Sequence, residues 1–137
     1  MKTLLTTVTL CSLFALVSTA SAGESPQHVT DLLIERSNSA FNVAKGISDE
    51  YSPKFTLLTS AAEVQDLATK FRYLDPVDMP DVTELFDKLE SMKLATTDLI
   101  ELAEENDDEL TVKRAKQIRR LIFKMRDLTE RLEGALF

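Results

Sequence analysis

The stretch LFDKLESMKLATTDLIELAEENDDELTVKRAKQIRRLIFKMRDLTERL, Leu85 to Leu132, decides the fold. Its first half carries Leu85, Leu89, Met92, Thr96, Leu99 and Ala103 at alternating steps of four and three. Its second half carries Ile118, Leu121, Met125, Leu128 and Leu132 in the same rhythm. That heptad spacing holds the side chains on one stripe of a helix. Between the halves lies the short run Glu105-Asn106-Asp107-Asp108, and Asn106 with Glu109 reads as a capping box that opens the second helix. Two seams joined by so short a turn predict an antiparallel, coiled-coil-like helical hairpin.

Upstream, the punctuation of further helices continues. Asp78, Pro80 and Asp81 start the hairpin's first helix, and the linker Leu74-Asp75-Pro76-Val77-Asp78 breaks the preceding one, because Pro76 disfavours a helical residue before it. Ser60-Ala61-Ala62-Glu63 reads as a capping box for a shorter helix with Val64, Leu67, Ala68 and Phe71 on its apolar stripe. Ser25-Pro26 supplies a cap and first residue for another, followed by Val29, Leu32, Leu33, Arg36, Ala40 and Val43. Gly46 falls where a left-handed C-terminal cap is expected. Residues 47–58 carry no clear pattern. The fold class expected is all-α, an antiparallel bundle of three to four helices built on the long C-terminal hairpin.

The first 22 residues read differently. Met1-Lys2 gives a positive start, an apolar run follows through Leu10, Leu13, Phe14, Leu16 and Val17, and Ala20-Ser21-Ala22 has the small-x-small spacing that signal peptidase cleaves. A signal peptide over 1–22 and one helical domain over 23–137 are expected. Cleavage removes Cys11, the single cysteine, and with it any disulfide or thiolate site. The absence of disulfides and of an Asn-x-Ser/Thr acceptor points to secretion into a bacterial periplasm.

Chemistry-bearing motifs are sparse. No glycine-rich phosphate loop exists, and the acidic clusters Asp75-Asp78-Asp81 and Glu104 to Glu109 lack the glycine of a calcium-binding EF-hand. Their carboxylates mostly fall where helix N-termini favour negative charge. The one histidine, His28, lies in the first turn of the first helix. No catalytic activity, metal or cofactor is expected. The alternative is a small cofactor or metal carrier of the secreted four-helix type, with haem held between His28 and one of Met79, Met92 and Met125. The two seam methionines are better read as packing.

Charge is more telling in a chain whose formal net charge is −7. Residues 23–112 contain seven basic and twenty acidic side chains, a net of −13, whereas residues 113–137 contain eight basic and three acidic, a net of +5. Folding the hairpin about Asp107 puts residues whose numbers sum to about 214 at one height. Glu104 is then expected beside Lys113 and Glu84 beside Arg131, with Glu109–Lys113, Arg126–Glu130 and Asp127–Arg131 as pairs within the last helix. Lys116, Arg119, Arg120 and Arg126 point away from the seam, as does Phe123 among them. Leu94 also faces away from its seam, and Arg114 falls on the seam itself. An aromatic ringed by arginines has the composition of an interface hot spot. Lys116, Arg119, Arg120, Phe123 and Arg126 are therefore the expected partner-binding residues, for an acidic protein or a second copy of this chain. Nucleic acid is disfavoured by secretion and net charge, and a membrane surface by the use of the apolar stripe in folding.

Overall fold

A computed structural model describes residues 25–73 and 81–136 of the chain. They form four helices, α1 (Pro26–Lys45), α2 (Pro53–Tyr73), α3 (Val82–Glu105) and α4 (Glu109–Leu136). Each helix packs on two neighbours: α1 on α2 and α4, and α3 on α2 and α4. The diagonal pairs make no comparable contact. Arg72 at the end of α2 bonds Asp31 at the start of α1, 2.8 Å away, and Arg114 early in α4 reaches Gly46 just past α1. The helices therefore alternate in direction, and the all-α antiparallel bundle read from the sequence is the fold. The expected signal peptide and the linker 74–78, with Pro80 and Met79, lie outside the described residues.

One rule organises the core. In all four helices the buried stripe follows heptad steps, running Thr30, Leu33, Ser37, Ala40 and Ala44 on α1, then Lys54, Leu57, Ala61, Val64, Ala68 and Phe71 on α2. On α3 it is Val82, Leu85, Leu89, Met92, Thr96, Leu99 and Ala103, and on α4 Thr111, Ala115, Ile118, Ile122, Met125, Thr129 and Leu132. The α3 and α4 stripes mirror each other about the turn, position for position, at numbers summing to 214, and those of α1 and α2 do so at 101. Large seam residues thus meet at shared levels, each buried Leu, Ile or Met being worth about 1.5–3 kcal/mol. Exposed ion pairs, at a few tenths of a kcal/mol each, are minor beside that.

The stripe tolerates hydroxyls because each finds a local acceptor. Thr96 Oγ1 donates to the Met92 carbonyl at 2.7 Å and Thr129 Oγ1 to that of Met125 at 2.8 Å, while Thr30 and Ser37 bond the carbonyls of Gln27 and Ile34. A buried hydroxyl so satisfied escapes most of its desolvation cost.

Five expectations are corrected. Ile122 holds the seam position assigned to Leu121, which is half-buried beside it. The second helix starts at Pro53, not Ser60; Ser60 is buried in its interior and Glu63 pairs with Lys88 of α3 at 3.4 Å. Proline at the first helical position needs no N–H partner, so Pro53 begins the helix without a side-chain cap. Gly46 takes a right-handed conformation, φ −80°, and its carbonyl accepts a 2.6 Å bond from Arg114. That bond also explains the arginine on the seam, whose charge sits at the negative end of α1. Asn106 closes α3, and Asp108 opens α4 instead. Of the three expected pairs within α4 and the Glu104–Lys113 bridge, only Asp127–Arg131 forms, at 3.3 Å.

The turn between α3 and α4 is unusually tight. The Asp107 N–H bonds the Glu104 carbonyl at 3.1 Å and the Asp108 N–H that of Ala103 at 2.9 Å, the paired bonds of a Schellman ending, with Asp107 at φ 55° in the left-handed position usually given to glycine. Asp108 then caps α4, accepting from the Thr111 N–H at 3.1 Å and its hydroxyl at 2.7 Å. The Tyr51 hydroxyl donates to the same carboxylate at 2.9 Å, tying the α1–α2 loop to this end. From the first turn of α2 the buried Lys54 ammonium reaches back into that loop, bonding the Ile47 carbonyl at 2.5 Å and pairing with Asp49.

These bonds set a pH dependence. The Thr111 hydroxyl, its backbone N–H and Tyr51 hold the Asp108 carboxyl below the usual carboxylate range, whereas burial and then Asp108 push the Tyr51 phenol up. A depressed carboxyl contributes stability above its unfolded value near 4 and loses it as pH falls through the folded one. The raised phenol contributes below about pH 10 and loses its share above. Asp108→Asn keeps a cap acceptor but loses one of the oxygens that serve Thr111 and Tyr51, and should lower the thermal midpoint at neutral pH by several degrees. The gap to the wild type should narrow as the pH is lowered from 5 toward 2. A gap constant over that range would show that the carboxylate charge is not what the turn uses. At Asp107, replacement by glycine should leave the protein about 1 kcal/mol more stable than replacement by alanine, as read by urea unfolding.

Candidate functional site

Because the seam takes Ile118, Ile122 and Met125 inward, helical geometry turns the opposite side of α4 to solvent. Phe123 stands there 61% exposed, and no other element covers it. Lys116, Arg120 and Arg126 are exposed as well, and Arg119 is half-buried. Arg119, Phe123 and Arg126 come together in a groove of about 270 Å³ between α3 and α4, facing Phe86, Asp87, Glu90 and Lys93. Phe123 also borders a second groove of about 330 Å³ toward α1, with Leu32, Arg36 and Lys124. The ring is therefore a ridge between two clefts. Lys116 and Arg120 do not line either cleft; they flank it along α4.

The cations of this face are not used inside the molecule. Among the described residues, Lys113, Lys116, Arg119, Arg120, Lys124 and Arg126 have no carboxylate within ion-pair reach. Asp87 and Glu90 lie in the same groove as Arg119 and Arg126 without closing a bridge. The outer side of α3 is mainly opposite in sign: Asp87, Glu90, Asp98 and Glu101 are exposed there with the single cation Lys93, around Leu94, itself 59% exposed. An acidic helix face and a basic one thus lie side by side, each centred on an uncovered apolar side chain. The α3 half was missed when the binding residues were read from α4 alone, although pairing at 214 already put Glu90 level with Lys124 and Asp87 level with Asp127, within a turn of Phe123.

The other candidate chemistry is dispersed. His28 is exposed on the first turn of α1, where its backbone N–H donates to the capping Ser25 hydroxyl at 3.1 Å. Met92 and Met125 are fully buried in the seam. Among the described residues no group of three or more His, Cys, Asp or Glu side chains is placed to hold a metal ion, and no helix is long and apolar enough to cross a membrane. No protein-family model, curated protein or solved structure matches the chain.

Neighbouring residues on α4 give a sharp contrast in what they do for the fold. Ile122→Ala should cost about 2–4 kcal/mol, whereas Phe123→Ala should stay within about 0.5 kcal/mol of the wild type, as read by chemical denaturation.

Proposed function

We propose that the protein is a secreted, periplasmic helical module that acts by binding an acidic protein surface through the outer side of α4. The observation that carries this is the exposed Phe123 among arginines that close no ion pair among the described residues. An aromatic side chain offers a large apolar area at small entropic cost, and arginine pairs with carboxylates in two-pronged geometry, which together form the usual centre of a binding hot spot. The acidic remainder of the molecule repels nucleic acid at long range and leaves the +5 segment as the local attractor for carboxylates. The N-terminal run with Ala20-Ser21-Ala22 supports export.

A photo-reactive amino acid placed at Arg120 in living cells tests the surface. Cross-links to protein are expected there, and Phe123→Ala combined with Arg119→Glu should abolish them while the helicity and thermal midpoint of the purified variant stay near wild type. Cross-links that survive the double substitution would sink the proposal. Export is tested separately by the N-terminus of the protein recovered from the cell envelope, which should be Gly23.

A further inference from the structure

We infer that the occupant of this surface is a second copy of the chain, in an isologous dimer whose twofold axis runs parallel to the helices along the α3–α4 groove. The inference rests on the reading of this face as a binding surface and names its partner.

The face is self-complementary. The exposed face of the hairpin has two halves, one on α3 where Asp87, Glu90 and Glu101 outweigh Lys93, and a basic one on α4 with Lys113, Arg120 and Arg126. Two orientations of a twofold axis bring such a face against its own copy. An axis across the helices lays α3 on α3 and α4 on α4, so that like charges meet. An axis along the helices lays α3 of each copy on α4 of the other, so that, Lys93 apart, unlike charges meet in both halves. Only the second arrangement is electrostatically favourable, and charge juxtaposition of this kind selects register.

Heights within the pair then follow from the seam. A twofold axis along the helices leaves height unchanged, so residues whose numbers sum to about 214 face each other between copies as they do within one. Glu101 lies opposite Lys113, and Asp87 lies one residue from the level of Arg126. Leu94 of one copy falls on the level of Arg120 in the other, where an arginine stem offers apolar cover. Phe123 points to the groove, so the two rings approach each other at one height across the axis, over the facing clefts. Leu94 and Phe123, exposed in the monomer, are covered in this pair.

The area is modest. A face one α3 long and two helices wide measures roughly 36 Å by 20 Å, on the order of 700 Å² per copy. Stable interfaces bury roughly 600–1,000 Å² per partner, which puts this dimer at the lower end of that range, where dissociation on dilution is expected.

Charge exchange tests it with purified protein alone. One variant carries Lys113→Glu and Arg126→Glu, the other Asp87→Lys and Glu101→Lys; all four side chains are exposed and none closes an ion pair in its own molecule. Sedimentation velocity should show the wild type passing from monomer to dimer as its concentration rises. Phe123→Ala should weaken that step at least about tenfold. Each charge variant should remain monomeric, with a circular dichroism spectrum and thermal midpoint close to the wild type. Mixing the two in equal amounts should restore a dimer, because both contacts then join opposite signs. A dimer in either variant alone, or none in the mixture, overturns the arrangement. A wild type that stays monomeric throughout also overturns it, and cross-linking at Arg120 in cells then decides whether the surface serves another acidic protein.

Discussion

Everything in this bundle is referred to the three-residue turn between α3 and α4. Asn106 ends one helix, Asp107 makes the left-handed step, and Asp108 begins the next, so the reversal takes no slack. With the turn fixed, the level of each residue on α4 is fixed relative to α3, and the two seams mirror each other down their length. A slip of one residue would rotate the α4 stripe by about 100°, moving Ile118 and Ile122 outward and charged neighbours inward. The same carboxylate holds Tyr51, so the α1–α2 hairpin is located against this end too, and Arg114 adds a second tie from α4 to the end of α1. Register is set at one end of the bundle and carried along it by packing.

What the sequence discloses follows from where large apolar side chains lie. The α3 seam of Leu and Met is legible outright, and with it the hairpin, its turn and the outward direction of Phe123 and Leu94. The α1 and α2 seams are legible only in part: Leu33, Ala40, Val64, Ala68 and Phe71 follow from spacing, but Thr30, Ser37, Ala44 and Ala61 carry little hydrophobic signal, and the hydroxyls among them become core residues only by bonding their own helix. Lys54 is the extreme case: a lysine in a seam position reads as surface until the Ile47 carbonyl and Asp49 are seen around it. Leu121 and Ile122 are adjacent, and which turns inward depends on the position of α1, which no local pattern encodes. The ion pairs were over-read for a different reason. Sequence spacing brings Cβ atoms near, but long exposed side chains keep their entropy unless the geometry is good.

On the binding face the same contrast separates folding from recognition. Levels along the hairpin were readable, so the proximity of Phe123 to Glu90 and Asp87 followed from the seam alone. The half-burial of Arg119 and the groove beside Phe86 required the actual approach of the two helices. The fold is nearly indifferent to the residues concerned. None of the six cations forms a bridge, and an exposed pair would add only a few tenths of a kcal/mol against a seam contributing about 1.5–3 kcal/mol per large residue. Folding therefore does not dictate an aromatic at 123 or basic residues at 116, 119, 120 and 126.

Indifference of the fold makes the arrangement of charge on this face a separate question, and its pattern is not that of a surface balanced for solubility. Interspersed signs would serve solubility, as on the ends of α4 where Asp127 meets Arg131. Between Lys113 and Arg126 the signs are instead largely sorted by helix, basic on α4 and mainly acidic on α3, where Lys93 is the exception, and no ion pair joins the two. Sorting at that distance leaves a dipole across the hairpin with an apolar side chain at the centre of each half. A dipolar face cannot be neutralised by a rotation that places each helix on itself. It is neutralised by the one rotation that exchanges the helices, which also covers Leu94 and Phe123. The same seam that sets the fold thus sets the levels at which two copies would meet.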